Sequence, residues 1–479
     1  MIAVEIEKVI AALTSHAFNR NDFLKSLDPY YVAIEQAATL AANGEDAWIE
    51  RQRFLNMVYE RFFQGFSVRQ ADTHGIVYTP QEIVDFMVAS VDEVLKREFG
   101  MPEGIGQPGV KILDPATGTG NFIVNMLRRM PARHLRQKYS EDLFCNEIML
   151  LPYYIACLNI EHAYYEKTKE YLPFEGACFA DTLDMRQGVA LATAKETIVA
   201  PQLLDISEAN TSRVNREQAE PIVVVIGNPP YNVGQVNEND NNKNREYPVV
   251  DQRIRDTYTR DSQATLKNKL SDAYVKFFRW ATDRLRGRDG IVCFVSNNSF
   301  VDQIAFDGMR KHLLQDFTAI YHLDLHGNVR RNPKLSGTTH NVFGIQVGVG
   351  VTIAIRRASS ETRGVYYFRV PEDWRREQKL RLMATAGSAE GLEWQELAPD
   401  ERHTWLTEGM RPEFASFAAL GTKEAKLQHD VNPETVFTTY CLGVSTNRDS
   451  TVYDFDRTKL VNRVQEFIED YNAEVSRWV

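Results

Sequence analysis

The chain lacks several features that would assign it at once to a large class of proteins. Its 479 residues contain no apolar run of 18 or more, which a membrane-spanning helix needs. No basic segment precedes the first apolar residues, so no signal peptide is indicated. The five cysteines form no C-x-x-C pair and show no metal-like spacing with histidine. These absences predict a soluble cytoplasmic protein with reduced thiols, no membrane partner and no metal site.

An excess of positive charge is also missing. The formal net charge of −10 argues against binding nucleic acid by bulk charge, although a local basic groove remains compatible with it. Two basic stretches, 243–269 and 328–334, offer such a groove, and solvated loop charge explains them equally well. The composition, 43% hydrophobic and 25% charged, is that of a globular chain with two or three domains.

Hydrophobic periodicity divides the chain into three predicted parts. Apolar residues recur at three- and four-residue spacing in residues 1–74, which predicts an N-terminal helical domain. Short apolar runs alternate with helical segments in residues 75–356, which predicts an α/β fold with a doubly wound, mostly parallel sheet. Inside this part, residues 232–270 lack an apolar period and predict a long inserted loop. The alternation fades in residues 357–479, which we expect to be a C-terminal connecting region.

The segment ILDPATGTGNF, residues 112–122, predicts a strand that ends in Asp114 and a turn through Gly118 and Gly120. In a doubly wound sheet such a turn lies at the carboxyl edge, where ligands bind. The third glycine of a dinucleotide fingerprint and the lysine of a P-loop are both absent. An ordinary strand-to-helix turn explains two glycines but not the whole D-P-A-x-G-x-G order. We therefore expect a cofactor site at this turn.

Two more acidic residues follow predicted strands. Glu147 ends LFCNE, somewhat further from the glycine turn than the about 20 residues typical of a ribose-binding carboxylate. A lone strand-end Glu is more often solvated, but the preceding glycine turn favours ribose binding. Asp181, in CFADTLD, is placed to accept from an exocyclic amine, and an ordinary loop explains it equally well.

The segment IVVVIGNPPYNVG, residues 222–234, predicts a buried strand followed at once by Asn228, Pro229, Pro230 and Tyr231. The prolines fix the backbone after the strand. The Asn228 amide can accept from a substrate –NH₂ while a fixed backbone carbonyl accepts the other hydrogen. The Tyr231 ring offers a face for a flat heterocycle, as for a base flipped out of a duplex. A simple turn is the alternative, although this residue order is rare for one.

A helix start is predicted at 75–80, GIVYTP, with Thr79 as the cap, Pro80 at the first helical position and Glu82 in the first turn. YTP, DPATGTGNF, the two acidic residues and NPPY follow one another in an order that resembles the γ-type, S-adenosylmethionine-dependent DNA adenine-N6 methyltransferases. The Asn-rich insertion and LDLHGNVRRNP are similar to the methyltransferase part of Type ISP restriction–modification enzymes. The resemblance covers roughly 50–479, and residues 1–74 resemble the helical connector of that group.

The resemblance implies a Rossmann-like methyltransferase fold, S-adenosyl-L-methionine as cofactor and double-stranded DNA as partner. It implies that the target adenine is bound and activated by Asn228, Pro229, Pro230 and Tyr231. The methionine part of the cofactor would lie against the glycine turn, its ribose on the strand-end glutamate and its adenine amine on the aspartate, with the YTP segment closing the pocket. The implied cofactor-binding residues are Thr79, Pro80, Asp114, Ala116, Thr117, Gly118, Gly120, Glu147 and Asp181.

The chain also departs from full Type ISP enzymes. It has no Walker lysine motif and no convincing nuclease cluster, so we expect the translocase and nuclease to be absent or supplied by a partner. Target recognition is expected from a missing segment or a specificity subunit. The predicted function is transfer of a methyl group to N6 of a flipped-out adenine in DNA, within a restriction–modification or related phage-defence system. Two alternatives stay open: a non-catalytic DNA-binding scaffold subunit, and an amino-methyltransferase acting on RNA or protein glutamine.

Overall fold

The computed structural model divides the chain into two compact units, Met1–Thr407 and Glu408–Val479. It describes residues 79–184, 204–230, 246–264, 267–328, 340–360 and 362–407 of the first unit, and in the second 449–478 with shorter stretches between 416 and 439. Four predictions lie wholly or largely outside the described residues and stay predictions: the helical domain 1–74, the first part of the insertion, the basic stretch 328–334 and the role of Tyr231.

One sheet forms the centre of the first unit. Within the described residues its nine strands are β1 (Ile112–Asp114), β2 (Leu143–Glu147), β3 (Ala177–Phe179), β4 (Val224–Gly227), β5 (Gly290–Asn297), β6 (Ala319–Asp324), β7 (Val349–Arg356), β8 (Gly364–Arg369) and β9 (Gln395–Leu397). Their order across the sheet is β3-β2-β1-β4-β5-β7-β6-β8-β9. The strands from β3 to β5 pair in parallel, and antiparallel β7 separates β5 from β6. The predicted doubly wound, mostly parallel sheet is confirmed.

Helices connect the strands and cover the sheet. In the first unit they are α1 (Gln81–Phe99), α2 (Asn121–Arg129), α3 (Ala132–Gln137), α4 (Leu150–Thr168), α5 (Leu204–Ala219), α6 (Pro248–Ile254), α7 (Ala273–Arg284), α8 (Asp307–Asp316) and α9 (Arg376–Ala386). The second unit contains α10 (Asp449–Val452) and α11 (Arg457–Trp478). No helix in the described ranges combines the length and apolar character needed to cross a bilayer.

Two apolar clusters lie on opposite faces of the sheet. In β4, Val224 and Ile226 point into one cluster and Val225 into the other. Buried residues of α1, α2 and α4 belong to the first cluster, and those of α6, α7 and α8 to the second. Because the central strands are buried on both faces, their sequences are continuous apolar runs, which is why they were visible in the sequence.

The predicted boundary at residue 356 is wrong for the sheet. β8 and β9 follow that residue, and β8 pairs in parallel with β6. In β8 only Val365 and Tyr367 are buried, and in β9 only Leu397 is. Half-buried and edge strands have a polar composition, so a search for continuous apolar runs misses them.

The prediction of an inserted loop without apolar period is also wrong for part of 232–270. Residues 248–254 form α6, and a further turn continues to Thr259. Val250, Ile254 and Tyr258 recur at four-residue spacing and are buried in the second cluster. Pro248 occupies the first helical turn, as prolines often do.

The helix start at Thr79 differs from the prediction as well. α1 begins at Gln81, Pro80 takes the capping position, and no side chain caps the helix. A proline disfavours helical backbone for the residue before it, so Thr79 lies outside the helix. Its hydroxyl makes a different contact, with Asn228.

Candidate active site

The site lies where the sheet reverses its winding direction. From β1 the chain proceeds to β2 and β3 on one side, whereas β4 and β5 lie on the other. In open α/β sheets, the crevice at the carboxyl ends of strands at such a switch point is where ligands bind. Asp114 is the last residue of β1, Glu147 is the last of β2, and Asn228 follows β4 directly. The topology therefore brings three predicted site residues to one edge.

Asp114 organises the turn that follows β1. Its fully buried carboxylate accepts from the backbone N–H of Ala116 at 3.2 Å and from the hydroxyl of Thr117 at 3.1 Å. Burial raises the pKa of Asp114 to about 7, although these two hydrogen bonds lower it, and the nearby charge of Glu147 raises it further. The carboxylate thus holds the D-P-A-T segment in one conformation.

Glu147 links the second strand to the same turn. Its Oε2 accepts from the backbone N–H of Gly118 at 2.9 Å, and its Oε1 accepts from that of Met149 at 2.8 Å. Burial raises the pKa of Glu147 to about 7 against the effect of these bonds. A carboxylate has about four lone-pair positions, so Glu147 retains acceptor capacity for a ligand hydroxyl.

The two glycines of the turn serve different purposes. Both have left-handed backbone, with φ +57° at Gly118 and +87° at Gly120. A Cβ on Gly120 would lie 3.2 Å from Cα of Ala156, so this glycine allows α2 to pack closely on α4. A Cβ on Gly118 would meet no atom within 4 Å. Gly118 therefore borders open space in the crevice, as a residue against which a ligand lies should.

Gly227, which the sequence analysis did not single out, sets the distance between β4 and Asp114. A Cβ on this residue would lie 2.6 Å from Oδ1 of Asp114, closer than real side chains come. The absence of a side chain lets the end of β4 approach the buried carboxylate directly. The signal in the sequence was a lone glycine closing an apolar strand immediately before NPP.

Asn228 contacts a residue that was predicted for a different role. Its Nδ2 donates to Oγ1 of Thr79 at 2.9 Å, so a predicted cofactor residue touches the predicted base-binding amide. With the –NH₂ group engaged by the Thr79 hydroxyl, the amide's acceptor atom is Oδ1 on its other branch. Asn228 is half-buried and Pro229 is buried.

Hydrogen bonds of Asp181 and of the next residue hold this segment at the crevice. Its Oδ1 accepts from the backbone N–H of Leu183 at 3.1 Å, and its Oδ2 accepts from the hydroxyl of Tyr247 at 3.1 Å. The next residue, Thr182, donates to the carbonyl of Pro115 at 2.6 Å, which joins this segment to the turn after β1. Neither Tyr247 nor Thr182 is predicted from the sequence, because no local pattern joins residues 181 and 247.

Most of the described site residues predicted from the sequence lie on the β1, β2, β3 and β4 segments at this edge, and Thr79 and Pro80 belong to the segment whose Thr79 contacts Asn228. Their individual roles stay predictions, and Tyr231 lies outside the described residues. The residues brought to this edge are Thr79, Pro80, Asp114, Ala116, Thr117, Gly118, Gly120, Glu147, Asp181, Asn228, Pro229 and Pro230.

Solved structures of similar proteins share this fold. The structure of DrdV in complex with DNA is 40% identical, with a TM-score of 0.84, over 96% of this chain and 44% of that one. A second structure is that of the ATP-dependent Type ISP restriction–modification enzyme LlaBIII bound to DNA. It is 31% identical in sequence, with a TM-score of 0.83, and the match covers 98% of this chain and 31% of the LlaBIII chain. The chain thus spans less than half the length of these relatives.

Sequence comparisons point in the same direction. The adenine-specific methyltransferase PglX of Streptomyces coelicolor is 30% identical over 91 residues, 19% of this chain and 6% of PglX. Residues 435–479 match the Type ISP C-terminal specificity domain, in the part expected to be a connecting region. Residues 50–316, more than half of the 479, match the N-6 DNA Methylase family. The chain therefore belongs to the N-6 DNA Methylase family.

Proposed function

We propose that the chain transfers a methyl group from S-adenosylmethionine to the exocyclic N6 of an adenine in double-stranded DNA. The observation that carries this proposal is the close approach of Gly227 to Asp114. A Cβ on Gly227 would lie only 2.6 Å from Oδ1 of Asp114. That approach sets Asn228 and the prolines beside the glycine turn. An acceptor for a base amine and a turn suited to a cofactor therefore share one crevice.

The residues of the turn fit the cofactor that the family uses in general. When bound, S-adenosylmethionine supplies an electrophilic methyl group on a sulfonium. Its methionine part would lie in the open space beside Gly118, against the turn that Asp114 organises. Glu147 would accept from the ribose hydroxyls with its remaining lone pairs, and Asp181 would accept from the adenine amine.

Asn228 would act on the target base. With its Nδ2 engaged by Thr79, Oδ1 is the atom that accepts one hydrogen of the adenine –NH₂. A backbone carbonyl fixed by Pro229 and Pro230 would accept the other. Both contacts would draw electron density onto the nitrogen and hold its lone pair in one direction. The base must leave the duplex to reach this crevice, and the rate gain comes from positioning and charge stabilisation.

The biological setting belongs to the same proposal. LlaBIII is a Type ISP restriction–modification enzyme and PglX is an adenine-specific methyltransferase. We propose that this chain acts in a restriction–modification or related phage-defence system in the cytoplasm. Target recognition would involve the region that begins with the specificity-domain match, together with a recognition segment or subunit. Residues 1–74 would connect the methyltransferase to a translocase–nuclease part or partner.

The test combines cofactor binding with product analysis. We expect calorimetry to give micromolar affinity for S-adenosylmethionine, and tritium transfer to unmethylated genomic DNA to yield N6-methyladenine after nucleoside digestion. Asn228→Ala should abolish transfer and leave cofactor affinity nearly unchanged. Failure of the folded wild-type chain to bind the cofactor would contradict the proposal and favour a scaffold subunit. Transfer to RNA or protein but not to DNA would favour the other alternative.

A further inference from the structure

Tyr247 reaches the cofactor crevice from the insertion. Its hydroxyl donates to Oδ2 of Asp181 at 3.1 Å, although 66 residues separate the two along the chain. Oδ1 of the same carboxylate accepts from the backbone N–H of Leu183. These two donors, one on each oxygen, fix the rotation of the Asp181 side chain.

The position of Tyr247 is itself fixed by a charged pair. Its backbone N–H donates to Oδ2 of Asp251 at 2.7 Å, and Oδ1 of Asp251 pairs with Lys276 at 2.8 Å. The Lys276 ammonium also lies 5.1 Å from the centroid of the Tyr247 ring, within cation–π range. Lys276 belongs to α7 and is only 3% exposed. The ring packs against the second apolar cluster. This arrangement holds the phenol in place before any ligand binds.

We propose that Tyr247 is a positioning residue for cofactor specificity: it orients Asp181 so that this carboxylate accepts the adenine amine of S-adenosylmethionine. This inference rests on the proposed function, because it assumes that Asp181 faces that amine. A fixed carboxylate accepts an amino group and repels an oxygen at the same position. A site of this kind favours the amine because a ligand without a donor at that position forms no hydrogen bond with the half-buried carboxylate. The insertion thereby takes part in choosing the cofactor.

The test compares two ligands that differ only at this position. S-Adenosylhomocysteine carries the amine, and its 6-deamino purine analogue carries a hydrogen in its place and keeps the same ring acceptors. Wild-type chain should bind the adenosyl ligand much more tightly in calorimetry. Tyr247→Phe keeps the ring and removes the hydroxyl, so we expect about five- to tenfold weaker binding of the adenosyl ligand. Binding of the 6-deamino analogue should not weaken, so the ratio of the two affinities narrows.

Tyr171→Phe is the matched control. Tyr171 also has its hydroxyl 3.1 Å from a carboxylate, that of Glu161, but on the exposed surface, and its loss should change neither affinity. In an Asp181→Ala background, Tyr247→Phe should have no further effect, because the carboxylate that its hydroxyl orients is already lost. The inference would be overturned if Tyr247→Phe bound S-adenosylhomocysteine as tightly as wild type does. It would also be overturned if the substitution weakened the binding of both ligands equally. Failure of wild type to bind either ligand would instead overturn the proposed function.

Discussion

The amide nitrogen of Asn228 donates to the hydroxyl oxygen of Thr79 at 2.9 Å, across 149 positions of the chain. Thr79 is 8% exposed and immediately precedes the proline that caps α1. In this orientation of the amide, Oδ1 is the atom available to a substrate. An amide that turned over would present –NH₂ to the adenine amine, and two donors cannot bond to each other. Thr79 is therefore expected to influence methyl transfer through Asn228.

Thr79→Val should slow methyl transfer about tenfold, because the isosteric side chain cannot accept from Asn228 and the amide loses its fixed orientation. Single-turnover transfer to unmethylated genomic DNA at saturating cofactor measures this rate. Thr79→Ser retains the hydroxyl and should stay close to wild type. If Thr79→Val instead weakens cofactor binding and leaves the saturated rate unchanged, Thr79 acts only as the cofactor residue that the sequence suggested.

The sequence predicted the position of a candidate residue in the fold where that residue lies at the end of a buried strand. Asp114, Glu147 and Asn228 each end or follow a continuous apolar run, and parallel strands necessarily bring such ends to one edge. The contacts between these segments could not be predicted in the same way. Tyr247 meets Asp181 only because α6 packs its own apolar residues on the sheet, and that short helix was hidden within a polar insertion.

The limits of the fold prediction have a related cause. The predicted strands β1, β2 and β4 are buried on both faces. β8 and β9 were not predicted because they lie toward the edge and alternate with exposed residues. Gly227 was passed over because its importance depends on the distance to Asp114. A distance between two strands is a property of the assembled sheet, so the glycine before NPP marks a position in the sequence but does not identify Asp114 as the residue that it approaches.

Gly118→Ala should weaken cofactor binding while the protein remains folded. The added methyl group would occupy the open space that we assign to the cofactor, and the φ of +57° is unfavourable for alanine. Gly100→Ala is a matched control, since its φ is +64° and its Cβ would also meet nothing within 4 Å, but it lies at the end of α1. Both variants should lose about 1 kcal/mol of unfolding free energy, and only Gly118→Ala should lose affinity in calorimetry. Equal affinity of the two variants would place the cofactor elsewhere.

Gly227→Ala should destabilise the fold itself. The new Cβ would lie 2.6 Å from Oδ1 of Asp114, and this carboxylate is held by its bonds to Ala116 and Thr117. Relief of the overlap requires β1 or β4 to shift, which typically costs about 1–3 kcal/mol. Urea unfolding followed by circular dichroism measures the difference. An unchanged midpoint of urea unfolding would mean that the two strands can move apart without loss of stability. The close approach of Gly227 to Asp114 would then not be needed to position Asn228.

The two buried carboxylates predict how cofactor binding depends on pH. Burial raises the pKa of both Asp114 and Glu147 to about 7 from ordinary values of 3.8 and 4.5. In the ligand-free protein each carboxyl group therefore keeps its proton up to near neutral pH, whereas in the unfolded chain it loses the proton at a lower pH, near its ordinary pKa. Their contribution to stability is present below their ordinary pKa values and is lost as pH rises through about 7.

A positively charged cofactor, or one that donates hydrogen bonds to these carboxylates, binds best when they are ionised. Affinity for S-adenosylhomocysteine should therefore rise between pH 6 and pH 8, by about tenfold for one group with this pKa. Calorimetry at the two pH values measures the change. Glu147→Gln removes one titrating group and should make the affinity depend less on pH. Because glutamine has only one accepting oxygen, the variant also loses the hydrogen bond from Gly118 or the one from Met149. An affinity that falls as pH rises would show that the protonated carboxyls, acting as donors, bind the cofactor.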